Sequence, residues 1–198
     1  EPPCPHAADC GGCDLQHASR AAQMTMKREI VLDAFRRIGR LDVAPLLDGP
    51  EPLGDEFTAD WLAGALCARR RLLKPLLLDQ AFVAGLGNIY VDESLHRAGL
   101  HPEARSERVR APQAAALWRA IRDVLASAID REGSSFDTFY RTPEGRPGCY
   151  QHLFRVYGRE GEPCKQCGAG IRRLVVGQRG TFVCPRCQPK LRRESASS

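Results

Sequence analysis

The chain reads as mainly α: a helical body that ends in a small β-hairpin zinc ribbon. Three features point there. Cys164-Lys165-Gln166-Cys167 and Cys184-Pro185-Arg186-Cys187 form two Cys-x-x-Cys knuckles sixteen residues apart, a spacing that lets four thiolates surround one tetrahedral Zn²⁺. Between the knuckles, Leu174-Val175-Val176 and Thr181-Phe182-Val183 are β-prone and flank the turn-forming quartet Gly177-Gln178-Arg179-Gly180, as a hairpin requires. Upstream, apolar residues recur at spacings of three and four, the signature of helices packed on a core. Two disulfides are the alternative for the four cysteines; the spacing suits a metal better, and no secretory signal is evident.

Taken in order, residues 1–45 are a cysteine-rich loop and helix. Cys4, Cys10 and Cys13 cluster in a Gly/Pro-punctuated stretch that suits a [4Fe–4S] cluster if a fourth cysteine joins, or Zn²⁺ with His6 or His17. A helix is expected from about Ser19 to Ile38, stopping at Gly39. Residues 44–57, rich in Pro, Gly and Asp, deny helical continuity and are expected to connect two parts. Thr58 is expected to cap a helix running to Ala68 or Arg69, with Trp61, Leu62, Ala65 and Leu66 on one face. A second helix is expected from Pro75 to Val83 or Ala84. A turn at Gly85-Leu86-Gly87 follows, then a helix from Asn88 to Ala98. Gly85 and Gly87 permit positive φ, and Asn88 is expected to be the N-cap, where free N–H groups favour a phosphate. The last long helix is expected from about Pro112 to Arg131, with Leu117, Ile121, Val124, Leu125, Ala128 and Ile129 as core. Residues 133–148 read as a long loop able to move. The domains are therefore 1–45, 49–150, 151–188 for the zinc hairpin, and a basic, Ser-rich tail over 189–198.

The 198 residues have ordinary globular composition, 43% hydrophobic and 27% charged, and no apolar run long enough to span a bilayer. Charge is uneven: residues 151–198 hold ten Lys/Arg against three Asp/Glu, a surplus of +7, so residues 1–150 carry −2 of the net +5. A basic, metal-stapled end on a near-neutral body suggests a polyanion partner, nucleic acid first. A merely solvated basic surface would show the same charge. Clustered cysteines without a secretory signal are expected of a cytoplasmic chain.

Residues 4–39 resemble the start of the iron–sulfur RNA uracil-5-methyltransferases, on Cys4-Pro5-His6, Cys10-Gly11-Gly12-Cys13, Leu15-Gln16-His17, Gln23, Lys27-Arg28 and Arg37-Ile38-Gly39. That resemblance implies an iron–sulfur element with RNA as a partner. Nothing after residue 45 looks like the methyltransferase body of that family.

Residues 49–188 resemble the C-terminal half of formamidopyrimidine-DNA glycosylases of the Fpg/Nei group. The motifs are Leu76-Leu77-Leu78-Asp79-Gln80, Gly85-Leu86-Gly87-Asn88-Ile89-Tyr90, Ala98-Gly99-Leu100-His101-Pro102, Gly145-Arg146-Pro147-Gly148, Val156-Tyr157-Gly158-Arg159 and the four-cysteine ribbon. The resemblance implies a helix–two-turn–helix domain and a zinc hairpin that hold damaged or abasic double-stranded DNA in base-excision repair. By motif match, Asn88 after the Gly85–Gly87 turn and Arg179 at the tip of the hairpin are expected to grip phosphates, and the 133–148 loop to close over an everted base. The family's nucleophile is an N-terminal proline followed by glutamate. Here residues 1–3 are Glu1-Pro2-Pro3, and the nitrogen of an internal proline is an unreactive amide. The expectation is a chain that binds DNA without excising a base.

Overall fold

The computed structural model describes residues 49–131 and 149–190. The expected helix over 19–38, the cysteines Cys4, Cys10 and Cys13, the loop over 133–148 and most of the 189–198 tail lie outside them. Four helices come first: α1 (Ala59–Cys67), α2 (Leu73–Leu77), α3 (Asn88–Arg97) and α4 (Ala111–Asp130). A two-stranded antiparallel hairpin follows, β1 (Arg172–Val176) and β2 (Arg179–Val183). No described helix is long and apolar enough to cross a membrane.

Thr58 caps α1 as its sequence suggests. Its backbone is extended and its hydroxyl oxygen accepts from the Trp61 amide at 3.1 Å, satisfying one of the free N–H groups of the first turn. Leu62 and Leu66 on α1 then face Leu117 and Ile121 of α4 in one apolar core, which Leu76, Leu77, Val91 and Leu95 complete. Removing this aliphatic surface from water is the main force assembling the helices. The Pro/Gly-rich stretch does not hang free. Phe57 is buried, its carbonyl accepts from the Trp118 indole at 2.6 Å, and Arg122 donates to Pro52 and Gly54 carbonyls.

The helix expected from Pro75 to Val83 or Ala84 is corrected. α2 is five residues long, begins at Leu73 and ends at Leu77. Side chains supply the bonds a continuing helix would have made. Gln80 donates to the Leu78 and Leu86 carbonyls and accepts from the Gly85 amide at 2.7 Å, while Asp79 accepts from the Ala81 amide. Asp and Gln thus trade a helix for two stacked turns, a competition that propensity alone does not resolve.

The hairpin turn is also tighter than the expected quartet Gly177–Gly180. Val176 pairs with Arg179, leaving only Gly177 and Gln178 between the strands, at φ +57 and +63. Two residues with positive φ match the twist of paired strands. Arg179 is therefore the first residue of β2 and not the tip of the loop.

Candidate nucleic-acid interface and metal centre

Helix α3 is the spine of the site. Asn88, Asp92 and His96 recur every four residues, which sets them on one face. Each reaches a different part of the zinc-hairpin segment. Asn88 Nδ2 donates to the Gly180 carbonyl at 3.1 Å and approaches the Tyr157 hydroxyl at 3.4 Å. Asp92 accepts from the Phe182 amide at 2.9 Å and from Lys74 Nζ at 2.6 Å. His96 Nε2 lies 3.4 Å from Cys164 Sγ. One position on from Asp92, Glu93 accepts from the backbone amides of Arg155, Val156 and Tyr157 at 2.9–3.0 Å, so a buried carboxylate anchors the entry to the ribbon.

The Lys74–Asp92 pair has both side chains fully buried. Burial pushes Lys74 down and Asp92 up to about 6, against the pull of the partner charge. Lys74 spends a second N–H on the Gly180 carbonyl at 2.9 Å, the oxygen that Asn88 also uses. Arg179, one residue before it, is exposed. Among the described residues its guanidinium has no ion-pair partner. The hairpin backbone is thus clamped beneath a free cation.

The expectation that Asn88 caps α3 is corrected. Gly87 is the N-cap, no side chain caps the helix, and Asn88 is its first residue with its amide turned to the hairpin. Asn88 Oδ1 is buried without a partner. The backbone amides opening α3 are therefore left for solvent or ligand. Gly85 has φ +79, the left-handed conformation that favours glycine, but Gly87 has an ordinary φ of −98. A Cβ at Gly87 would meet nothing within 4 Å. The fold does not itself demand glycine there.

At the ribbon, the donor set fits zinc. Cys167 and Cys184 sulfurs are 3.4 Å apart and Cys164 and Cys187 sulfurs 3.9 Å apart. Those separations are far beyond a disulfide and close to the edge of about 3.8 Å that Zn–S bonds of about 2.3 Å imply for a tetrahedron. Backbone amides of Gln166 and Cys187 point at the Cys164 and Cys184 sulfurs, at 3.5 and 3.4 Å, closing each knuckle. Burial pushes Cys184 and Cys187 up, while the Ala169 amide and neighbouring sulfurs bring Cys167 down to about 7. Four thiols this close ionise together only around a cation. Burial first, then Arg155, Arg159 and Arg97, lowers His96 to about 4 and keeps it neutral. Gln188 accepts from the Cys184 amide and donates to the Leu100 carbonyl just past α3, docking the second knuckle.

Asn88 and Arg179, from separate stretches, are joined through Gly180, and the four ribbon cysteines converge. Lys74, Asp92, Glu93 and His96 were missed. The available signal was the polar stripe at helical spacing from Asn88 to His96.

Comparison with known proteins agrees with this architecture. Residues 48–140 match the family described as the formamidopyrimidine-DNA glycosylase H2TH domain, and residues 161–190 the zinc finger found in FPG and IleRS. A formamidopyrimidine-DNA glycosylase of Chloroflexus aggregans is 45% identical over 189 residues, covering 91% of this chain and 68% of the relative. One from Deinococcus radiodurans is 51% identical over 145 residues, covering 71% of this chain and 50% of the relative. The crystal structure of the MutM (Fpg) protein from Thermus thermophilus superposes with a TM-score of 0.70 at 45% identity, over 78% of this chain and 57% of that one. The complex between Lactococcus lactis Fpg and an abasic-site-containing DNA gives 0.67 at 41%, over 72% and 52%. The chain thus spans between half and about two thirds of the length of these relatives.

Proposed function

The chain belongs to the formamidopyrimidine-DNA glycosylase family, and on that footing we propose that its described part is a zinc-stapled clamp for the backbone of damaged or abasic duplex DNA. Gly87 carries the reading. It keeps an ordinary backbone conformation in open space at the start of a ten-residue helix with no capping side chain. Glycine there serves an approaching ligand more than the fold. Uncapped amides and the positive end of the helix dipole favour a phosphate. Arg179, free and exposed above the Gly180 carbonyl, adds a charge-assisted contact a short way along the strand. Such contacts position DNA without reading its sequence, which suits a search for damage. Solved relatives are complexes with DNA containing Fapy-dG, carbocyclic 8-oxo-G or an abasic site, and damaged purines are the substrate class we assign to the parent enzyme. Zinc, held by Cys164, Cys167, Cys184 and Cys187, supplies no chemistry in this reading beyond fixing the hairpin.

Two substitutions test the clamp. Gly87→Ala should leave the melting temperature nearly unchanged yet weaken binding to an abasic duplex about tenfold in fluorescence anisotropy, because its methyl stands where a phosphate would approach the amides. Unchanged affinity would sink the assignment. Arg179→Ala should cost roughly 1–3 kcal/mol of binding and reduce the salt dependence by about one phosphate contact. A ribbon that recognises only proteins would show neither effect.

Pro2 and Pro3 both follow another residue, so each nitrogen is an amide. The rival reading makes residues 1–45 an iron–sulfur, RNA-binding element through Cys4, Cys10 and Cys13. The Chloroflexus match, over 91% of the chain, extends upstream of residue 45 and supports the glycosylase reading over it. Iron in the purified protein would favour the rival.

A further inference from the structure

Among the described residues, five metal-capable side chains meet at the ribbon, its four cysteines and His96 of α3, where a tetrahedral zinc needs four. The ligand atoms of His96, Cys164, Cys184 and Cys187 all lie within 4.8 Å of one another, a set that leaves out Cys167. Cys167 is not remote from the sulfurs, since it sits 3.4 Å from Cys184. His96 is therefore the fourth donor of a compact set with Cys164, Cys184 and Cys187, the three sulfurs that would remain around an ion without Cys167.

Three observations fit the imidazole to this place. His96 is 1% exposed, and its Nδ1 is buried without a hydrogen-bond partner, so Cys164 is the polar neighbour it was buried against. Its helix is held on both sides, by Asp92 on the hairpin and Glu93 on the entry segment, so the ring is pre-positioned. Cys167 and Cys187 are partly exposed where Cys164 and Cys184 are buried, and of the two partly exposed ligands only Cys167 lies outside the set that His96 completes.

We propose that His96 is a reserve zinc ligand. With all four cysteines in place, Nε2–H donates to the Cys164 thiolate as an outer-sphere bond of the kind that orients metal ligands. When the Cys167 thiolate is lost, Nε2 gives up its proton, the unpartnered Nδ1 takes one, and the Nε2 lone pair closes a Cys₃His site, an ordinary structural zinc set.

The test measures zinc per chain in the purified full chain, with cobalt(II)-substituted spectra, for the wild type and for H96F, C167A, C184A and the double variant C167A/H96F. The wild type, H96F and C167A should each hold close to one metal, with the cobalt bands of C167A shifted to shorter wavelength and its sulfur charge-transfer band weakened. C184A should lose its metal, and the double variant should bind zinc at least about tenfold more weakly than C167A, the scale seen when metal-supporting groups are removed. A C167A chain as empty as C184A, or one that fails to accumulate while H96F does, would overturn the proposal. So would a double variant as tight as C167A, or an H96F chain that has lost its zinc. A metal-free wild type would instead remove the zinc reading itself.

Discussion

Stripping the zinc is expected to melt the hairpin and leave the helices standing. The ribbon's own apolar cluster is Val156, Cys164, Ile171 and Cys184, two of them metal ligands, whereas the helical core is a separate and much larger set spanning α1 to α4. Two five-residue strands do not persist in water unaided. Structural zinc in small fingers contributes roughly 10–16 kcal/mol of apparent binding free energy, and that is the free energy that folds them. After dialysis against a strong chelator, helical circular dichroism should persist while amide signals from residues 164–188 collapse. DNA affinity should fall further than in Arg179→Ala, because the whole strand bearing Arg179 is released. Retained hairpin signals in the apo protein would show that Lys74, Asp92 and Asn88 hold the strands without metal.

Asp92→Ala is expected to destabilise the protein by about 3–5 kcal/mol, read by chemical denaturation with zinc bound. It removes the acceptor of the Phe182 amide and leaves Lys74 fully buried without its anion and close to Arg179. Much of that loss comes from the orphaned partner, not from the worth of the pair. The paired replacement Lys74→Met with Asp92→Leu should therefore recover a large share of the stability. Because both residues also hold the hairpin, neither variant should regain full DNA affinity. A single Asp92→Ala variant as stable as the wild type would show that the pair is not what docks the hairpin.

Much of the site was legible from residues close in sequence. Knuckle spacing picked out the four ribbon cysteines, which converge, because two residues between cysteines is a local geometric condition. Thr58, the apolar spacing of α4 and the β-prone segments of the hairpin are likewise local signals, and each produced its element. Where two local tendencies competed, sequence reasoning failed. Leu76-Leu77-Leu78 followed by Ala81 to Ala84 looks helical, but Gln80 and Asp79 satisfy the backbone another way and end α2 at Leu77. Asn88 is an ordinary capping residue by type, yet the Gly180 carbonyl, 92 residues away, takes its amide.

By itself the sequence determined the zinc-ribbon knuckles, the helical class and the two stretches that carry Asn88 and Arg179, since periodicity, capping and chelate spacing act over a few residues. Only the tertiary structure decided that Asn88, Asp92 and His96 form one face, that Lys74 reaches the Gly180 carbonyl, and that His96 lies against the Cys164 sulfur. Those pairings join buried polar groups 68 to 106 residues apart. A buried polar group must find a partner, but which one it finds is set by how the helices and hairpin pack.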